Sequence, residues 1–211
     1  MQAPTVLPLA GPRPALVRRA RGLAWLGLAW HLVEAAVALA AGVVAGSVAL
    51  VGFGADSLIE AFAGIVVIWL MADSRSASPA AERRAQQWIA ASFAVLAAYI
   101  GVEAVRDLVA GHHPNGSWVG IGLAAVTLIT MPPLAHAKRR VAERLGSSAT
   151  ASESRQTMLC AYLSAALLVG LGANAALGWW WADPVVALLI AAVAGREARD
   201  AWRGDACSCC A

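Results

Sequence analysis

Asp56 and Glu60 stand four residues apart inside the apolar stretch Ser47–Met71. In an α-helix that spacing puts both carboxylates on one face, about 6 Å apart along the axis. Two like charges so placed repel in a low dielectric, so a proton or a bridging cation must sit between them. The pair is therefore carboxylate geometry for a divalent metal, with protons competing for the same oxygens. The bland alternative is a protonated pair hydrogen-bonded to neighbouring helices. Cys160 and Ser164 repeat the spacing in a later apolar stretch and offer a soft thiolate beside a hydroxyl. By themselves they read equally as a small buried hydrophobe and a serine bonded to its own backbone. Glu34 lies near the middle of a further apolar stretch with His31 about one turn before it, where either could join a proton relay or supply another ligand.

Other polar residues carry less. Glu103, Arg106 and Asp107 cluster near the end of one stretch, where an intrahelical ion pair explains them. His112 and His113 are adjacent in a polar turn, the setting of solvated side chains as much as of a metal-gathering mouth. Cys207, Cys209 and Cys210 sit in the final segment GDACSCCA. In a reducing compartment clustered thiols are free or metal-binding rather than bridged; lipidation is the other reading of such a tail.

These residues are positioned by a chain built for lipid. Of its 211 residues 60% are hydrophobic and 14% charged, against about 45–50% and about 25% in soluble domains. Six apolar stretches reach spanning length: Gly22–Ala45, Ser47–Met71, Trp88–Ala110, Trp118–Ala135, Met158–Trp180 and Pro184–Trp202, since a bilayer core takes about 20 helical residues. Arg196, Glu197, Arg199 and Asp200 shorten the apolar part of the last, which then needs snorkelling or local thinning.

Positive charge alternates with the stretches. Arg13, Arg18, Arg19 and Arg21 precede the first; Arg75, Arg83 and Arg84 lie between the second and third; Lys138, Arg139, Arg140, Arg144 and Arg155 between the fourth and fifth; Arg196, Arg199 and Arg203 close the sixth. The opposite turns lack Lys and Arg, and Arg106 alone breaks the pattern. The expectation is an all-α integral membrane bundle of six transmembrane helices with both termini cytoplasmic. It comprises a tail at 1–21 without a cleavable signal, a transmembrane domain at 22–202 and a Cys-rich tail at 203–211. Trp118 and Trp179–Trp181 are expected as interfacial anchors. With net charge +3 and arginines set between apolar runs, nucleic acid is not an expected partner. The sequence shows no nucleophile elbow, phosphate loop or H-E-x-x-H pattern, so an enzyme is not expected.

The run GSVALVGFGADSLIEAFAGIVVIWLM resembles the second helix of the cation diffusion facilitator transporters, in which a small-residue run precedes two acidic residues four apart. KRRVAERLGSSATASESRQTMLCAYLS is similar to that family's basic loop and fifth helix, and WADPVVALLIA to the start of its sixth. The resemblance covers nearly the whole chain. It implies a multi-pass homodimer of the plasma (cell inner) membrane that exchanges a divalent cation, zinc first, for protons by alternating access. It also implies a metal site shared between the second and fifth helices, here Asp56, Glu60, Cys160 and Ser164. The fifth-helix places usually hold His or Asp followed by Asp. Cys160 and Ser164 there make the site softer and one carboxylate poorer, which admits cadmium or copper(I), and Glu34 can restore the charge. The sequence departs from that family in the expected lack of the usual C-terminal cytoplasmic domain after the sixth helix, and its Cys tail could pass a soft cation to the membrane site or be palmitoylated or inert. The leading expectation is proton-coupled efflux; the rival is a membrane metal sensor or partner subunit that binds without flux.

Overall fold

A computed structural model of the chain describes residues 13–71, 79–146 and 148–203, and all regular structure among them is helical. The helices are α1 (Arg13–Ala45), α2 (Val48–Met71), α3 (Pro79–Ala110), α4 (Trp118–Leu145), α5 (Ser148–Leu177) and α6 (Ala182–Arg203). Among the described residues, four segments are long and apolar enough to cross a membrane: Ala15–Ala45, Val48–Val66, Trp118–Leu145 and Glu153–Leu177. With α3 and α6 packed beside them, they form an α-helical membrane bundle. The expected N-terminal residues before Arg13, Arg75 and the Cys207, Cys209 and Cys210 tail lie outside the described residues.

The helices outrun the apolar stretches at their Arg-rich ends. α1 begins nine residues before Gly22, α4 runs ten past Ala135 and α5 begins ten before Met158. Backbone hydrogen bonding does not stop where side chains become charged, so a helix continues into the headgroup layer. The basic segment 136–157, expected as a loop, is thus helical on both sides, with α4 ending at Leu145 and α5 beginning at Ser148. Gly146 closes α4 with φ 62°, its amide donating to the Ala142 carbonyl. That left-handed cap is strained for any residue with a Cβ. Arg139 pairs with Glu143 on the exposed face at 2.9 Å.

The turns free of Lys and Arg gather at the other end. Asn115 donates its amide to the Ala45 carbonyl at 2.8 Å, and Asn174 donates its side chain to the Pro114 carbonyl at 2.9 Å. Ser47 caps α2 by accepting from the Leu50 amide at 3.0 Å and gives its hydroxyl to Asp183 of α6. Asp183 also accepts from the Ala49 amide at 3.2 Å. One buried carboxylate so satisfies a helix start that its own helix does not contain. Asp183→Ala is expected to cost about 2 kcal/mol, read as a lower melting temperature in detergent without loss of cation binding.

The closest packing is α1 on α2, α4 on α5 and α3 on α6. Small residues set the first of these. A Cβ on Gly42 would fall 2.8 Å from the Val51 amide nitrogen, and one on Gly54 would fall 2.9 Å from that of Leu39. Backbone meets backbone at those points, as expected where lipid gives helices no hydrophobic drive to associate. The apolar core around Leu50, Phe53, Ile100, Leu167, Leu171 and Ile190 then joins α2, α3, α5 and α6.

Candidate metal centre

The close approach of α1 and α2 brings two acidic stretches face to face. His31 and Glu34 on α1, Glu60 on α2 and Cys160 on α5 are all buried and present ligand atoms within 4.8 Å of one another. His31 Nδ1 stands 3.1 Å from Glu60 Oε2 and 3.3 Å from Glu34 Oε2, and Cys160 Sγ stands 3.6 Å from Glu34 Oε2. Ligands about a tetrahedral zinc, with bonds near 2.0–2.3 Å, are roughly 3.3–3.8 Å apart. Three edges of such a polyhedron are therefore nearly in place.

The surroundings treat the four ligands unequally. Glu34 is fully buried and tightly held: Ser57 donates to its Oε2 at 2.9 Å, and Thr127 of α4 donates to its Oε1. Glu60 Oε2 is buried with no hydrogen-bond partner among the described residues despite its closeness to His31. A buried orphan oxygen is costly, and a cation held with His31 and Cys160 would satisfy it. The donor set of one imidazole nitrogen, two carboxylates and one thiol suits zinc or a softer divalent ion better than magnesium or calcium, which take oxygen alone.

The expected site residues fall into two layers. Glu60, Cys160, Glu34 and His31 converge, whereas Asp56 and Ser164 are buried outside the four-ligand group. α2 runs away from the Lys- and Arg-free end and α5 toward it, so Asp56 and Ser164 each lie one turn nearer that end than Glu60 and Cys160. Ser164 donates to the Cys160 carbonyl at 2.7 Å, the local bond common for serine in membrane helices. Elsewhere Glu103 and Arg106 form the expected intrahelical pair at 2.7 Å. The exposed His113 stacks on Trp180 with ring centroids 5.0 Å apart.

Two contributors had no signal in spacing. Thr127 is one of two threonines in α4, three residues from Thr130, with no acidic or thiol residue at helical spacing to mark it, and Ser57 is overshadowed by Asp56 beside it; both matter because α1 passes between their helices. Lys138, expected among loop charges, forms a buried ion pair with Glu153 at 2.8 Å. The loop expectation fails there because the helix pair packs that face against α1.

Residues 24–203 match the family described as the cation efflux transmembrane domain. A protein of Synechocystis sp. named an uncharacterized transporter is 28% identical over 181 residues, covering 81% of this chain and 58% of the relative. The chain thus spans a little over half the length of that curated relative.

Proposed function

The chain belongs to the cation efflux family, a family of transporters and not of enzymes, and on that premise we propose that it carries zinc or a similar soft divalent cation across the membrane in exchange for protons. The observation that carries the reading is the buried group of His31, Glu34, Glu60 and Cys160, in which one Glu60 oxygen has no hydrogen-bond partner among the described residues. By the positive-inside rule the Arg-rich end faces the cytoplasm of the cell's inner membrane. The cation arrives from that side, is held by the four ligands, and passes outward by way of Asp56 and Ser164.

Proton coupling follows from the donors. Carboxylates and a thiol must be unprotonated to ligate, so loading a divalent ion displaces protons and reprotonation releases it. The heat of zinc or cadmium binding to the purified chain is accordingly expected to change with the ionisation enthalpy of the buffer. Identical heats in buffers of unlike ionisation enthalpy would remove the coupling. Transport is tested by zinc, cadmium or copper(I) uptake into vesicles, where Asp56→Ala is expected to abolish flux. Flux at the parent rate would refute the outward step.

Copper(I) is the softest candidate, but two carboxylates favour a divalent ion. A homodimer is part of the same proposal, tested by cross-linking in the membrane.

A further inference from the structure

One turn from the four ligands, toward the Arg-rich end, the three ligand-bearing helices and α4 meet at a second polar cluster. Lys138 of α4 is only 1% exposed, and its ammonium donates to Glu153 at 2.8 Å and to Thr157 at 3.1 Å on α5. A Cβ on Gly27 of α1 would stand 2.7 Å from the Lys138 Nζ. One on Gly64 of α2 would stand 4.0 Å from Glu153 Oε1. The ammonium therefore occupies space common to α1, α2, α4 and α5, and α1 admits it by having no side chain there.

The register of three helices agrees on its depth. Gly27 is one turn before His31, Gly64 one turn after Glu60, and Thr157 three residues before Cys160, or about 5–6 Å along the axis. Glu153, Thr157, Cys160 and Ser164 make a polar stripe on one face of α5 at helical spacing. Among the described residues, Lys138 and Glu153 are the buried charged side chains between the ligands and the Arg-rich end. A buried ion pair seldom stabilises a fold better than apolar residues of the same volume, so its presence calls for another role.

Resting on the four-ligand reading for its context, we propose that Lys138 is a tethered cation that closes the Arg-rich approach to the metal centre. The ammonium holds Glu153 and Thr157 in the closed form, and a divalent ion reaches the ligands when the ammonium leaves that carboxylate. In the closed form Cys160 is fully buried, which makes its thiol a built-in reporter.

The test is the alkylation rate of Cys160 by a charged, membrane-impermeant maleimide on the detergent-purified full chain, read by mass spectrometry on the Cys160 peptide so that the tail cysteines do not count. Lys138→Ala/Glu153→Gln removes the plug and leaves no unpaired charge, and it is expected to speed alkylation about tenfold or more, the scale of a modest population shift. Gly27→Ala keeps every charge but crowds the ammonium off its carboxylate. It is expected to speed alkylation several-fold and decides the matter if the double variant does not fold. An unchanged rate in a folded variant overturns the closure. Zinc slows the parent's alkylation if the four ligands bind it. Faster alkylation in the variants without zinc protection in the parent would keep the closure and sink the ligand set.

Discussion

Glu60→Gln is expected to lower zinc or cadmium affinity by about 100-fold or more, equivalent to roughly 2.7 kcal/mol. The change is nearly isosteric, so it leaves no cavity. It replaces the one buried side-chain oxygen that lacks a partner among the described residues with an amide, and removes a negative charge from a cation's immediate surroundings. The empty protein should not suffer, because a buried carboxylate that is incompletely satisfied is costly in its own right. Lost binding with an unlowered melting temperature is therefore the signature, read by titration calorimetry alongside thermal unfolding. An affinity within a few-fold of the parent would place the cation elsewhere. Asp56→Asn provides the contrast. Asp56 is outside the four-ligand group, so static binding is expected to fall by less than about tenfold while vesicle uptake collapses.

Cys160→Ser should change which ion is held more than whether one is held. The thiol is the one soft donor of the four and lies 3.6 Å from Glu34 Oε2. A hydroxyl in its place is smaller and harder, and it gives up its proton far less readily. Cadmium affinity is expected to fall about 100-fold and zinc affinity about tenfold, so that the preference between them shifts by about an order of magnitude. Competition between the two ions on parent and variant measures this directly. A preference left unchanged would mean the thiol does not touch the ion. Because the cavity gained is less than a methylene in size, a stability loss beyond about 1–2 kcal/mol is not expected.

Much of this was legible in the residue order. Spanning length and the alternation of arginines gave the helical membrane bundle, since burying some 20 apolar residues in lipid leaves few structures that satisfy the backbone. The four-residue spacing on α2 marked Glu60, and rarity marked Glu34, His31 and Cys160, because an ionisable group in hydrocarbon is too costly to keep idle. Periodicity along one helix can say which side chains share a face.

It cannot say which faces meet. Asp56 and Glu60 are equivalent by spacing, yet Glu60 joins the four-ligand group and Asp56 does not. That choice follows from the depth at which Gly42 and Gly54 bring α1 against α2, a contact between segments remote in the chain. Thr127 meets Glu34 across 93 residues, and Lys138 found an internal partner where its neighbours in sequence are exposed arginines. Composition and local spacing thus set the helices and nominated the ligands, because lipid acts on each segment separately. Convergence of the ligands and burial of the lysine were decided by packing among four helices, whose register is a property of the assembled bundle.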